Sequence, residues 1–195
     1  MKDNPMQYSF FALLFRQRYI GRWSLMHSTE QETLAQHSME CAVLSHCLCE
    51  IGNTFFGGSY DSSYAALLGL FHDSPEVITG DLPTPIKYAS EEMRTTYGMI
   101  EDKAVQRMLS KLPDELKETY SALLRPESGN ETKIVKAADK LCALIKCSNE
   151  RRSGNREFDA AYAATKAELE KMDLPEANWF MENMLSSFEL PIDEL

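Results

Sequence analysis

Residues 62–76 have the sequence SSYAALLGLFHDSPE, and the fold prediction starts from this stretch. Ser62 to Phe71 is almost entirely apolar, which predicts a central helix that is buried on most of its sides. His72 and Asp73 follow directly. An imidazole and a carboxylate are costly to bury without a partner. A metal ion is one such partner, and a hydrogen-bonded core histidine is the ordinary alternative.

Outside this stretch, apolar residues recur at steps of three and four, and no run of alternating β-branched residues occurs, so we predict an all-α fold. Thr33 and Gln36 have capping-box spacing, and Met39, Val43, Cys47 and Ile51 are expected to form an inward stripe. Gly21 could end the first helix in a left-handed conformation. We predict a stiffened loop over 79–85, because Pro83 and Pro85 remove backbone donors. The predicted helices cover about 10–21, 33–55, 62–71, 90–112, 115–124, 132–152, 158–172 and 175–188.

Composition limits the function classes. The chain has 195 residues, 44% of them hydrophobic, which suits one domain spanning 1–195. Twenty Lys and Arg stand against 30 Asp and Glu, and a net charge of −10 disfavours binding of long nucleic acid. No apolar run reaches the roughly 20 residues of a membrane span, so we expect neither anchor nor signal peptide.

The cysteines bear on the compartment. Their number is odd, at five, and none forms a CxxC pair, which predicts reduced thiols and a cytoplasmic protein. Cys41 lies four residues after His37 on one helical face, so a zinc pair is an alternative interpretation of these two residues.

Two further residues join the His72-Asp73 pair as candidate metal ligands. His37 lies one turn into the capped helix, and Asp139 lies in an apolar helical frame. Mixed nitrogen and oxygen donors suit one divalent ion such as Mn²⁺, Co²⁺, Fe²⁺ or Zn²⁺. Asp139 beside Lys140 could also be an ordinary helix charge. Glu76 follows Asp73 by three residues, so on a continuing helix it would face the same ion and act on its water.

The order His37, His72-Asp73, Asp139 resembles the HD-domain metal-dependent phosphohydrolases, an all-helical superfamily with one divalent ion held at these positions. The surrounding segments narrow the resemblance to the bacterial 5′-deoxynucleotidase (YfbR-like) family. These segments are Arg22-Trp23, Gln36-His37-Ser38, His72-Asp73-Ser74-Pro75-Glu76, Thr79 to Pro85 with Lys87-Tyr88, and Lys136 to Asp139. Relatives often carry Glu where this chain has Gln36, which removes a possible carboxylate partner of the first ligand.

The resemblance implies a homodimeric HD-domain bundle that hydrolyses deoxyribonucleoside 5′-monophosphates. It implies that Glu76 transfers protons, that Arg22 orients the phosphate and that Trp23 disfavours a 2′-hydroxyl. The implied substrate-binding residues are Arg22, Trp23, His37, Asp73, Asp81, Leu82, Pro83 and Thr84.

Two alternatives remain at this point. One is an HD phosphohydrolase that acts on a guanosine polyphosphate or a cyclic nucleotide, and the other is a non-catalytic metal or nucleotide sensor. His27 and His46 have no place in the pattern, and we expect the run from Glu150 to Arg152 to be a solvated face.

Overall fold

A computed structural model describes residues 8–87 and 89–195, so Tyr88, which contributes to the family resemblance, lies outside the described residues. Within them no β-strand forms, and an isolated antiparallel bridge joins Gly21 to Thr33. The all-α prediction is confirmed, while the single domain over 1–195 stays a prediction. The helices are α1 (Phe10–Leu14), α2 (Leu34–Phe55), α3 (Ser62–Phe71), α4 (Glu76–Thr79), α5 (Thr84–Lys87), α6 (Glu91–Leu109), α7 (Asp114–Leu124), α8 (Asn130–Arg152), α9 (Asp159–Met172) and α10 (Pro175–Asn183).

The centre of the fold is a layer of α2, α3 and α8, which pack against one another, with α9 and α10 against α8 and α2. Its buried core includes Leu48, Leu68 and Leu141. A second apolar cluster joins α1 to α6 and α7 around Phe10 and Met108. Buried apolar contact therefore holds the three central helices in fixed positions relative to one another.

Helix α2 begins as predicted, with Thr33 and Gln36 forming a capping box. The predicted inward stripe is wrong at two positions, because Met39 and Val43 are exposed. The buried face instead runs through His37, Cys41, Leu44 and Leu48. Neighbouring helices pack against this second face, so tertiary contact decides between two apolar stripes of similar spacing.

Helix α3 has the predicted bounds, but Leu67 and Leu70 are exposed, so it is buried on fewer sides than expected. Gly69 allows its close approach to α2. A Cβ at this position would lie 2.9 Å from the Cα of Ala42 and from the carbonyl oxygen of Cys41. This contact brings the end of α3 beside the first turns of α2.

The chain leaves α3 at His72 and turns before α4 begins at Glu76. The expectation that Glu76 lies on a continuation of the same helix is therefore wrong. The predicted loop over 79–85 is helical at both ends, since α4 includes Thr79 and α5 begins at Thr84. Pro85 is tolerated there because backbone N–H groups in the first turn of a helix have no partner within the helix. The N–H that proline lacks therefore costs no hydrogen bond. Gly80, with φ of 75°, turns the extended segment between them.

The first helix is also shorter than predicted. Helix α1 ends at Leu14, and a 3₁₀ turn covers Phe15–Tyr19. Gly21 does not adopt the left-handed conformation expected of it. Trp23 does, with φ of 61°, which is uncommon for a bulky residue and marks local strain.

All five cysteines are free, and Cys41, Cys49, Cys142 and Cys147 are buried, in line with the prediction of reduced thiols. Across residues 8–87 and 89–195, none of the helices combines the length and apolar character that a membrane span requires.

Candidate active site

The structure brings the four predicted metal ligands together, although they come from three separate parts of the chain. The donor atoms of His37, His72, Asp73 and Asp139 all lie within 4.8 Å of one another. Nε2 of His37 is 3.2 Å from Nε2 of His72 and 3.1 Å from Oδ1 of Asp139. Nε2 of His72 is 3.0 Å from Oδ2 of Asp73.

These three separations fit a shared metal ion, whereas Nε2 of His72 and Oδ1 of Asp139, at 3.9 Å, would need a wider angle at the ion. Ligands about 2.1 Å from one ion lie roughly 3.0 to 3.4 Å apart at octahedral to tetrahedral angles. Two imidazole nitrogens and two carboxylate oxygens also form a donor set suited to a borderline divalent ion, and the two negative charges balance its charge. Cys41 is not among the four residues of this group, so the alternative zinc pair of His37 and Cys41 is not supported.

The carboxylates of this group raise the pKa values of its two histidines. Burial disfavours a charged ring, but hydrogen bonds to Asp139 and Asp73 raise the pKa of His37 to about 9. The pKa of His72 is also raised, despite burial, chiefly by Asp73. Two histidines whose pKa values are raised in this way hold protons that a cation would displace.

The local fold aims each ligand. Nδ1 of His72 lies 2.7 Å from the carbonyl oxygen of Gly69, so this nitrogen donates a hydrogen bond and Nε2 faces the other ligands. His37 is fully buried in α2, whereas the side chain of Asp139 on α8 is 42% exposed. The group therefore opens to solvent on the side of Asp139.

Glu76 is buried at the start of α4, and its Oε2 has no hydrogen-bond partner among the described residues. Burial, together with the negative charges of Asp73 and Asp81, raises the pKa of Glu76 to about 9. A buried carboxyl with a raised pKa next to candidate metal ligands is typical of a proton-transfer group.

Arg22 and Trp23 lie at the edge of the same group. Nη1 of Arg22 is 3.4 Å from Oδ2 of Asp73, and its Nε is 3.1 Å from Oε1 of Glu32. The indole of Trp23 packs against Phe158, with ring centroids 5.3 Å apart, and donates a hydrogen bond to Glu32. A guanidinium and an indole are thus held side by side.

A cleft of about 710 Å³ extends from this point, within the size range of small-molecule sites. Six predicted site residues line it. Leu82, the buried His37 and Glu76, and the partly buried His72 and Asp73 do not. The six are Arg22, Trp23, Asp81, Pro83, Thr84 and Asp139. The cleft therefore joins the predicted phosphate, sugar and loop residues to Asp139, the most exposed of the four candidate ligands.

Sequence reasoning missed the opposite wall of this cleft. It is formed by α9, with Ala161, Ala164 and Thr165, and by an ion pair between Lys140 and Glu168. Alanines spaced three residues apart along α9 were the available signal, since small side chains permit a close approach.

Two glutamates were also misjudged or missed. Glu150, expected on a solvated face, is 1% exposed and accepts hydrogen bonds from the backbone of Thr29 and Glu30. Glu32 was not singled out, although it contacts Arg22 and Trp23.

Gln36 lies in the capping box, where its amide oxygen accepts a hydrogen bond from the backbone amide of Thr33 at 2.8 Å.

A helical bundle that gathers a histidine, a His-Asp pair and a distant aspartate is the arrangement of an HD-domain phosphohydrolase. Solved structures agree on the fold. A Listeria innocua HD-domain phosphohydrolase aligns with 93% of this chain and 88% of its own, at a TM-score of 0.82 and 23% identity. The cyanophage S-2L HD phosphohydrolase DatZ, solved with dA and one catalytic Zn²⁺, aligns with 90% of this chain and 96% of its own, at a TM-score of 0.66 and 18% identity.

The sequence identifies the family within this class. The 5′-deoxynucleotidase YfbR-like family matches residues 9–188. A 5′-deoxynucleotidase of Vibrio atlanticus is 41% identical, covering 97% of this chain and 98% of the relative. The 5′-deoxynucleotidase YfbR of Escherichia coli is 40% identical, covering 97% and 96%. The chain belongs to the YfbR-like 5′-deoxynucleotidase family, which confirms the resemblance, the HD-domain fold and the predicted class of phosphomonoester hydrolase.

Proposed function

We propose that this chain hydrolyses deoxyribonucleoside 5′-monophosphates to the deoxynucleoside and inorganic phosphate. The observation that carries the proposal is the shared position of Arg22, Trp23 and Asp139 on one cleft. A phosphate in that cleft would meet both a fixed cation and the metal group, and the sugar attached to it would meet the indole.

His37, His72, Asp73 and Asp139 are the residues that would hold one divalent ion. The zinc in the structure of DatZ supports Zn²⁺ among the four candidates, with Mn²⁺, Co²⁺ and Fe²⁺ as the others. When bound, such an ion supplies Lewis acidity toward a phosphoryl oxygen and lowers the pKa of water.

Arg22 binds the phosphate. Its guanidinium presents a planar fork of donors that matches phosphate oxygens, and it remains charged at any pH at which the enzyme works. Trp23 would occupy the space beside the sugar's 2′ position, and the loop from Asp81 to Thr84 would contact sugar and base. His37 and Asp73 do not line the cleft, so their part in substrate binding stays a prediction of the family resemblance.

Glu76 moves a proton at the attacking water or at the leaving 5′ oxygen. A carboxyl whose pKa lies near 9 holds or accepts a proton at neutral pH more readily than an ordinary glutamate. Oε2 of Glu76 makes no hydrogen bond among the described residues, which leaves it available to substrate or water.

Further proposals concern the setting of this activity. Five free thiols support a cytoplasmic location. The exposed apolar side chains of Leu67 and Leu70 support a homodimer, which light scattering on the purified protein would test. The net charge of −10 supports small nucleotides rather than long nucleic acids as ligands.

The deciding experiment measures phosphate release by the metal-supplemented protein from paired deoxyribo- and ribonucleoside 5′-monophosphates. Release from the deoxy compounds is expected, and no release from either set would refute the proposal. Glu76→Gln serves as the matched variant, with turnover lowered on the order of a hundredfold and Zn²⁺ content unchanged. A guanosine polyphosphate and a cyclic nucleotide are the rival substrates, and binding without any hydrolysis would indicate a sensor.

A further inference from the structure

Glu32 lies between three residues of the site. Its Oε2 accepts a hydrogen bond from Nε1 of Trp23 at 2.7 Å. Its Oε1 is 3.1 Å from Nε of Arg22 and 3.6 Å from Nδ1 of His37. The side chain is only 11% exposed, so these contacts form largely away from water. One carboxylate therefore contacts the phosphate-facing, sugar-facing and metal-facing groups.

The backbone of Glu32 holds the same segment. Its carbonyl oxygen accepts from the amide of Arg22 at 3.0 Å, while the amide of Leu34 donates to the carbonyl of Ile20 at 2.9 Å. These bonds flank the bridge between Gly21 and Thr33. Because α2 begins at Leu34, the segment that carries Arg22 is fixed against the helix that carries His37.

Two buried nitrogens point to a role for the carboxylate. Nε of Arg22 and Nδ1 of His37 make no hydrogen bond among the described residues, and each lies near Oε1 of Glu32. A buried donor without a partner is costly. When Nε2 of a histidine binds a metal ion, the proton resides on Nδ1 and is commonly donated to a carboxylate. A shift of about half an ångström would bring the 3.6 Å contact into hydrogen-bond range.

Resting on the function proposed above, we propose that Glu32 is a positioning residue that orients His37 for the metal ion and holds Arg22 and Trp23 against the substrate. Gln36 does not fill this role, because its side chain is bound to Thr33 in the capping box. Glu32 acts through its three neighbours and does not itself contact the reacting atoms.

The first test measures Zn²⁺ affinity by chelator competition, which does not depend on turnover. Glu32→Gln keeps an oxygen for Trp23 but removes the negative charge beside Arg22 and His37. We expect its Zn²⁺ dissociation constant to rise about 10- to 100-fold, the range found when such ligand partners are removed. Glu30→Gln is the matched control, since its exposed side chain makes no polar contact among the described residues, and its Zn²⁺ affinity should be unchanged.

The second test measures the ratio of kcat/KM for dAMP to kcat/KM for AMP. Glu32→Ala removes the acceptor of the indole N–H, so the ratio should fall at least fivefold, whereas Glu32→Gln should keep it within twofold. In a Trp23→Phe background, which lacks the N–H, Glu32→Ala should change the ratio no further. Such non-additivity is the mark of two residues that act through one contact.

The outcomes separate this proposal from the proposed function. If wild-type protein releases no phosphate from any nucleotide, the function is wrong, yet the Zn²⁺ measurement still tests the contact between Glu32 and His37. If Glu32→Gln binds Zn²⁺ within twofold of wild type and Glu32→Ala keeps the sugar ratio, Glu32 is not a positioning residue. Thermal melting shows which variants are folded, and Glu32→Gln, being isosteric, keeps the test valid if Glu32→Ala unfolds.

Discussion

Nη1 of Arg22 lies 3.4 Å from Oδ2 of Asp73, so the cation expected to bind phosphate is paired with a candidate metal ligand. Burial opposes the charge of Arg22, but Glu32, Asp73 and Asp139 raise its pKa above the ordinary value. The guanidinium is therefore fixed in place before substrate arrives, which avoids reorganisation during the reaction.

This pairing predicts a strong requirement for arginine at position 22. Arg22→Lys keeps the charge but loses the planar set of N–H donors with which the guanidinium can contact Asp73, Glu32 and a phosphate at the same time. We expect kcat/KM for a deoxynucleotide to fall about 10- to 100-fold, corresponding to roughly 1.4 to 2.7 kcal/mol. Steady-state kinetics check this, with the exposed Arg18→Lys as the control. An effect of less than threefold would show that Arg22 does not bind the phosphate.

Trp23 gives a prediction about sugar selectivity. A ribose 2′-hydroxyl forced against the indole loses its water without gaining a partner, at a cost of about 1 to 3 kcal/mol. Wild-type protein should therefore prefer deoxyribonucleotides by about five- to a hundredfold. Trp23→Ala should narrow this preference by improving ribonucleotide turnover relative to deoxyribonucleotide turnover. If both fall equally, the indole only packs on Phe158, and selection lies in the loop from Asp81 to Thr84.

The sequence singled out the four residues that the structure brings together, because the order of a histidine, a His-Asp pair and a distant aspartate resembles that of HD-domain phosphohydrolases. The bounds of α3 followed from composition alone. Which face of α2 is exposed could not be predicted, because Met39 and Val43 repeat at the same spacing as the buried residues of that helix. Only the packing of neighbouring helices distinguishes the two faces.

The two buried glutamates show a different limit. Glu150 precedes Arg151 and Arg152, and such a run of charged residues is typical of a solvent-exposed helix face. Glu32 lies in a polar stretch between two helices. Both contacts depend on how the loop from residue 23 to 32 folds back on α2 and α8. That path is set by the bridge at Gly21 and by the left-handed Trp23, neither of which periodicity can reveal.

A divalent ion held by the four candidate ligands, as proposed above, is expected to stabilise the folded chain. A cation that binds only the folded state raises stability by mass action. At 100 times its dissociation constant, the ion should add about 2.7 kcal/mol. Thermal melting of chelator-treated protein, with and without added Zn²⁺, measures this. Asp139→Asn should lose most of the shift, and a shift equal to that of wild type would exclude Asp139 as a ligand.

Glu150 is expected to make a pH-dependent contribution to the free energy of unfolding. Although burial opposes its charge, the carboxylate accepts hydrogen bonds from Lys146, Thr29 and Asn155, and these lower the pKa of Glu150 below its ordinary value. It thereby joins α8 to the loop that carries Trp23 and Glu32. Glu150→Gln should lower the free energy of unfolding at pH 7 by about 2 to 4 kcal/mol, because it leaves buried donors without a charged acceptor.

A carboxyl whose folded-state pKa is lowered stabilises the protein above its unfolded pKa of about 4.3 and loses that contribution as the pH falls. The difference between wild type and Glu150→Gln should therefore be constant from pH 7 to about pH 5.5 and shrink below about pH 4.5. Urea unfolding of both proteins at several pH values measures it, with the exposed Glu127→Gln as the control. A difference that stays constant down to pH 3.5 would show that the variant disturbs packing and not the charge of Glu150.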